Sequence, residues 1–379
     1  MVGSVPITRT VNGKSLSADI TLDAAAIGAD PTGSAASALS DAKSYADGLT
    51  ASDVGAIPVV NGSTGQFLGF TSPNVIGAVD APSNGGKRVC RFTVGTLKSG
   101  WRDNSCDYLC TGANDQVRIN AAIQALPETG GEIVILDGTY NITAPIVLNK
   151  ANSTLRGNGA ATILKRMWNS GTMEGIVNVT ADNCTVCDLC FDGNKVAYTS
   201  NNNRGVNISG SKICVTGNTC NSNNSYGIYA NGSRNTVTGN TCNNNNSYGI
   251  YVSLSYSNTV TGNTCNNNSY GIYVSGSHNT VTGNTCNDDG YGIYVNTSRN
   301  TVTGNTCNDD GYGIYVSGSH NTVTGNTCLR GAGTTSDYIS SQYTIKVSGK
   351  NNLVSNNNCM GKAPVDEGTG NTLVNNKYE

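Results

Sequence analysis

One octapeptide constrains this chain more than any other feature. Asn-Thr-Val-Thr-Gly-Asn-Thr-Cys occupies Asn235–Cys242 and returns at Asn258–Cys265, Asn279–Cys286, Asn300–Cys307 and Asn321–Cys328, with a weaker copy at Ile213–Cys220. Between copies the chain reads Ser-Tyr-Gly-Ile-Tyr or Gly-Tyr-Gly-Ile-Tyr. Cys220 to Cys242 is a step of 22 residues, the next is 23, and the three after that are 21 each. A fixed period of this size marks a repeat architecture. Helical repeats are longer, on the order of 33 to 47 residues, and carry apolar residues at helical spacing. Here the apolar residues alternate: Ile250 and Val252 share one face of a short strand and Tyr251 faces away. Asn, Gly, Ser and Asp separate the strands and accept turn conformations cheaply. Leucine is too rare in the repeats for a leucine-rich horseshoe. The pattern predicts an all-β fold, a right-handed parallel β-helix of one repeat per coil, stacked at roughly 4.8 Å.

Stacking turns equal positions into columns. Val237, Val260, Val281, Val302 and Val323 form one inward ladder, and Ile228, Ile250, Ile272, Ile293 and Ile314 a second. Cys220, Cys242, Cys265, Cys286, Cys307 and Cys328 form a third, expected to extend to Cys190 below and Cys359 above. Asn218, Asn240, Asn263, Asn284, Asn305 and Asn326 form an amide ladder in which each side chain satisfies its neighbour.

The 14 cysteines raise zinc or redox chemistry. Free cysteine packs as a small hydrophobe, however, and in-register neighbours point their Cβ atoms the same way, which suits no disulfide. Cys184, Cys187 and Cys190 have metal-like spacing, but Cys190 reads as part of the ladder, Cys184 as the equivalent of Thr236, and Cys187 as a turn residue. Cys90, Cys106 and Cys110 lie outside the repeats; a bridge or a small metal site is open there. No metal or other cofactor is expected elsewhere. A net charge of −2 gives no electrostatic case for nucleic acid, and no apolar run is long enough to span a membrane. The N-terminus lacks the basic-then-apolar pattern of a signal peptide.

Residues 1–60 are different material. Val11 to Leu22 reads as a hairpin turning at Asn12-Gly13, and Ala35 to Asp47 as a short helix too small to bury a core alone. Val-Asn-Gly-Lys-Ser-Leu-Ser-Ala-Asp-Ile-Thr-Leu, then Asp-Ala-Ala-Ala-Ile-Gly-Ala and Thr-Ala-Ser-Asp-Val-Gly-Ala-Ile-Pro, resembles modules of bacteriophage and prophage tail fibres over roughly residues 5–60. The resemblance implies a virion protein, a parallel homotrimer, and attachment to the phage tail or baseplate through the N-terminus. It carries no catalytic residue. Residues 61–88, rich in Gly, Ser, Asn and Pro, read as a linker.

Residues 89–132 are expected to hold a strand at Arg91–Val94 and a helix at Asn114–Leu126 whose apolar face is Val117, Ile119, Ala122, Ile123 and Leu126, ended by Pro127. This helix and the following Gly-Gly-Glu-Ile-Val-Ile-Leu-Asp-Gly-Thr-Tyr resemble the opening of pectate-lyase-like β-helices, including many tailspikes, in which the helix caps the solenoid. The solenoid is then 133–379. That family includes polysaccharide lyases, glycosidases and non-catalytic binders, so fold does not decide activity.

Function belongs on outward columns. Tyr229, Tyr251, Tyr273, Tyr294 and Tyr315 face away from the core and suit the C–H faces of sugar rings, while Tyr226, Tyr248, Tyr270, Tyr291 and Tyr312 are expected at the turn. Stacking that merely shields the sheet is compatible with the same pattern. Asp288, Asp289, Asp309 and Asp310 share one turn of consecutive coils. Paired carboxylates are what a glycosidase uses, or what holds Ca²⁺ with turn carbonyls; a solvated turn is the plainer account, because earlier coils carry Asn there. Asp188 and Asp192, on less regular coils, are the other acidic candidates. His278 and His320 share a column with Arg234, Ser257 and Arg299, an exposed basic stripe. The sequence points to non-catalytic recognition of a host surface polysaccharide, with a depolymerase and a structural spacer as the alternatives.

Overall fold

The computed structural model describes residues 90–379 without a break and, before them, only the strands Thr10–Val11, Lys14–Ser15, Gln66–Ser72 and Val75–Asp80. Two compact units result, Met1–Lys87 and Arg88–Glu379. In the first, Val11 pairs antiparallel with Lys14, on either side of Asn12-Gly13 in the sequence. The helix expected over 35–47 lies outside the described residues. The reading of 61–88 as linker needs correction: Gln66–Ser72 and Val75–Asp80 form an antiparallel hairpin. Gln-Phe-Leu-Gly-Phe-Thr-Ser and Val-Ile-Gly-Ala-Val-Asp carry enough β-branched and aromatic residues to pair, and Pro73-Asn74 separates them; the flanking Gly and Ser hid this.

The second unit is a solenoid of parallel strands. One coil shows the plan: Thr280–Thr282, Thr285–Asn287 and Tyr291–Val295 each pair in register with the same strand one coil below and above. Val281, Cys286, Ile293 and Val295 point inward and are fully buried. Each corner is turned by one left-handed residue: His278 (φ 58°), Gly283 (φ 63°) and Asp288 (φ 57°) here, Arg299 (61°), Gly304 (64°) and Asp309 (58°) on the next coil. The basic stripe is therefore a corner column, exposed as expected, whose residues hold the left-handed backbone on which each corner turns.

A buried Asn, or at Asp289 and Asp310 an Asp, follows each of these corner residues. In the predicted ladder, Asn263 donates its backbone N–H (2.9 Å) and Nδ2 (2.9 Å) to Asn284 Oδ1, and Nδ2 also reaches Val237 O (2.9 Å). Two further ladders escaped the sequence reading. Asn235, Asn258, Asn279, Asn300, Asn321 and Asn352 hold the second corner, with backbone N–H to Oδ1 distances of 2.7–2.8 Å. Asn223, Asn245 and Asn268 hold the third. These side chains satisfy corner backbone groups that no strand ladder reaches.

Cys187 ends the strand Thr185–Cys187 and is not a turn residue, and two further cysteine assignments are corrected. Phe191, not Cys190, lies opposite Cys220; Cys190 faces Thr219 and is half-buried. The interior column thus runs Tyr140, Leu164, Phe191 and then cysteine, large residues giving way to small ones. Cys214, not Cys184, stands opposite Thr236, which leaves Cys184 one place earlier, buried in line with Ile213. Both errors matched residue type instead of face, and a slip of one residue inverts every side chain of a strand.

Arg91–Thr96 pairs with Glu132–Ile135 and extends the solenoid below its first full coil, followed by Tyr108–Cys110. The helix Gln116–Gln124 lies against Ile146–Leu148 and these two strands, burying Ile119, Ala122 and Ile123 completely. Val117 is not on that face; it is 59% exposed. All 14 cysteines are free, including Cys90, Cys106 and Cys110. Among the described residues no helix is long and apolar enough to cross a membrane.

Candidate functional site: a tyrosine-paved sheet

The Tyr-Gly-Ile-Tyr-Val strands set this face. In Tyr291–Val295 the Gly, Ile and Val are buried, and both tyrosines stand half-exposed on the outside. A side chain at the glycine has no room: a Cβ on Gly292 would lie 2.6 Å from Gly313 O. Both tyrosine columns belong to the face. Tyr226, Tyr248, Tyr270, Tyr291 and Tyr312 open their strands instead of sitting in a turn, and Tyr343 continues them. Ring centroids along this column are 4.9, 4.8, 4.8, 4.5 and 4.9 Å apart. Tyr229, Tyr251, Tyr273, Tyr294 and Tyr315 form the second column at 5.3, 4.8, 5.0 and 4.8 Å. Rings of the two columns touch within each coil, at 5.7 Å for Tyr226 and Tyr229 and 5.6 Å for Tyr291 and Tyr294.

The result is one continuous aromatic strip, about 24 Å long for five steps at the strand spacing. Hydroxyls line its edge: Asn296 Nδ2 donates to Tyr273 OH (2.7 Å), and Tyr294 and Tyr315 share hydrogen bonds with Ser317 (3.1 Å) and Ser348 (2.9 Å). Burial among neighbouring rings raises the Tyr248, Tyr270, Tyr273 and Tyr291 phenols above their ordinary range, so these four stay uncharged at neutral pH.

Cations bound the strip. Lys346 Nζ sits 4.6 Å and Lys362 Nζ 4.5 Å from the Tyr343 ring, and Lys346 pairs with Glu367 at 2.9 Å. At the other end Arg204 occupies the column of Tyr226, with its guanidinium 3.9 Å from the Tyr229 centroid and 4.7 Å from that of Tyr226. Beneath it Arg166 is wholly buried, stacks on Trp168 at 3.8 Å, and donates to Arg204 O at 2.5 Å. Burial pushes the Arg166 guanidinium down to about 9 and lowers that of Arg204. One signal in the sequence marks Arg204: an arginine stands where later coils have tyrosine.

The aspartates do not converge. Asp288 and Asp309 are exposed corner residues. Asp289 and Asp310 stand in the third amide ladder, each 4% exposed. Asp289 Oδ1 accepts the Asn268 backbone N–H (2.6 Å) and Asn268 Nδ2 (3.2 Å), and Asp310 Oδ1 accepts the Asp289 N–H (2.8 Å). Their Oδ2 atoms are buried without a partner. Burial raises Asp289 from its ordinary 3.8 to about 8 and Asp310 in the same direction. Asp188 is an exposed corner residue, and Asp192 accepts the Asn194 N–H (2.9 Å) while facing Lys165 at 3.8 Å.

The chain is similar to two sequence families: "Right handed beta helix region" over residues 151–307 and "Periplasmic copper-binding protein (NosD)" over 255–379. The fold is a right-handed parallel β-helix. No curated protein matches the sequence. Among solved structures, DFA-IIIase from Arthrobacter chlorophenolicus A6 in complex with DFA-III is 12% identical, covering 74% of this chain and 94% of that one, with a TM-score of 0.55. The Agl-KA catalytic domain is 17% identical over 79% of this chain and 55% of that one, TM-score 0.54. Dettilon tailspike protein is 14% identical over 67% and 65%, TM-score 0.47. Among the described residues the side chains do not fit copper. It asks for converging thiolates, thioethers or imidazoles. The thiols of Cys242, Cys265, Cys286, Cys307 and Cys328 are buried and held neutral by that burial, and His278 and His320 are separated by the coil of Arg299. Among the described residues no three His, Cys, Asp or Glu side chains could hold a metal ion.

Proposed function

We propose that this chain is a phage or prophage tail fibre whose β-helix binds a host surface glycan along the tyrosine strip without cleaving it. The observation that carries the reading is the strip itself: two columns of half-exposed rings at 4.5–5.3 Å along the solenoid, edged by hydroxyls and amides. Rings offer flat apolar faces to sugar C–H groups, and the edge groups match sugar hydroxyls. The placement of the acids supports binding over hydrolysis. Asp289 and Asp310 are buried in a ladder where burial raises both carboxyl groups, and Asp192 is already engaged, so among the described residues these candidate acids form no acid–base pair beside an open groove. The resemblance of residues 5–60 to tail-fibre modules supplies the setting: a homotrimer in the virion, attached at its N-terminus.

Two measurements test the proposal. Light scattering of the purified chain gives its mass; a trimer is expected, and a stable monomer rejects the tail-fibre assembly. Binding to an array of bacterial surface polysaccharides is expected for the wild type and lost in Tyr273→Ala. A chain that binds none of them is a structural spacer.

A further inference from the structure

The foot of the tyrosine strip holds two buried guanidinium groups and no acid paired with either. The ion pairs among the described residues involve Arg91, Lys150, Arg156, Lys165 and Lys346; Arg166 and Arg204 form none. A buried charge without a counter-charge is costly, so such a charge is retained where something compensates it. Arg166 is partly compensated, since Nη2 donates to the carbonyls of Glu174 (3.2 Å) and Arg204 (2.5 Å), and Nη1 to Asn203 Oδ1 (3.4 Å).

Arg204 is different. It is 3% exposed, Nη1 donates to Asn207 Oδ1 at 2.7 Å, and the guanidinium also meets the Tyr226 side chain. Nη2 is given only the thioether sulfur of Met173, at 2.6 Å, and Nε has no partner at all. Nε–H and Nη2–H form one edge of the guanidinium fork, the edge that takes both oxygens of a carboxylate. A weak neutral acceptor covers that edge, and it sits on a side chain that is 57% exposed. The other face of the guanidinium rests on Tyr226 and Tyr229, so whatever binds the edge also meets the first rings of the strip.

We infer that the Nε/Nη2 edge of Arg204 is a carboxylate subsite and that the glycan bound by the strip is acidic. A uronic-acid residue displaces Met173 and forms the bidentate pair, and the sugars that follow it lie on the tyrosine columns. The inference rests on the proposed glycan binding and adds the substrate class to it. Neither the period of the repeat nor the tyrosines themselves imply a charged sugar.

The test uses the full chain and two matched probes: oligosaccharides from uronic-acid polysaccharides, and the same oligosaccharides with their carboxyl groups reduced to alcohols. Calorimetric titration is expected to show the acidic probe bound at least about tenfold more tightly than its reduced partner, with a preference that shrinks as salt rises. Arg204→Gln is expected to erase the preference. Because Arg204 is buried, Met173→Glu provides a second variant on an exposed residue; it places a carboxylate of the chain's own on the same edge. That variant is expected to lose the acidic probe at least about tenfold while keeping the reduced one. Equal binding of both probes by the wild type, or unchanged acidic binding in Met173→Glu, overturns the inference and leaves the glycan reading standing. Binding of neither probe, or binding of both that Tyr273→Ala leaves untouched, overturns the glycan reading and the inference with it.

Discussion

Asp289→Asn should stabilise the solenoid, and by an amount that grows with pH. Asn268, one coil below, uses its Nδ2 to donate to Cys242 O (3.1 Å) and Asn266 O (3.1 Å). Asp289 occupies the next position of that ladder, and its Oδ2 has no partner. An ionised oxygen there would face carbonyl groups, whereas an amide restores two donors. The folded state holds Asp289 at about 8, against an ordinary 3.8. This is a raised pKa, so the folded form binds the proton more tightly than the unfolded form. Stability is complete below about pH 4 and is lost as pH climbs toward 8. At about 1.4 kcal/mol per pH unit, the loss at pH 8 is on the order of 5 kcal/mol. Asparagine has no such dependence. Thermal melts of both proteins from pH 4 to 8.5 should therefore nearly coincide at the acid end and separate by several degrees at the alkaline end, with the variant higher. Asp310→Asn should act in the same sense, since burial raises its carboxyl too. A melting difference that is the same at both ends, or a variant less stable at pH 8.5, would refute the reasoning.

Three further outcomes follow from the ladders and the core. Asn284→Ala removes an acceptor for Asn263 (2.9 Å to both its backbone N–H and Nδ2) and donors to Val260 O (3.0 Å) and Asn305 Oδ1 (2.9 Å). It should cost about 3–5 kcal/mol by leaving buried partners unmet, read as a fall in denaturation midpoint. Gly276→Ala should be worse tolerated than its small size suggests, because a Cβ there would lie 1.9 Å from Ser255 O in the coil below; loss of soluble folded protein on expression is the readout. Thiol labelling with iodoacetamide should spare Cys242, Cys265, Cys286, Cys307 and Cys328 in the native protein, where burial keeps them protonated, and reach them only after denaturation.

Most of the solenoid is legible in the sequence because its period is strict. Once Val260 and Val281 are placed in one column, strand direction, register and the inward face follow, and the structure pairs them so. The amide ladder of Asn240 was readable for the same reason. What misled was residue type where the period weakens. Cys190 looked like a ladder cysteine, but Phe191 fills the interior position opposite Cys220. The tyrosine strip was half legible: alternation puts Tyr251 outside, but only the strand start at Tyr248 puts the second column beside it. Arg166 carries no periodic signal, and Arg204 carries only its place in the tyrosine column. Their meaning depends on which donors lack partners, and that is decided by the loops bearing Met173 and Asn203.

The most direct test of glycan recognition is a titration of the full chain with the surface polysaccharide it selects from an array. The wild type is compared with a Tyr251→Ala, Tyr273→Ala, Tyr294→Ala triple variant, and the recovered polymer is sized afterwards. Saturable binding by the wild type, its loss in the variant, and a polymer of unchanged length are expected. Equal binding by the variant would remove the tyrosine strip from the account, and a shortened polymer would make the protein a depolymerase.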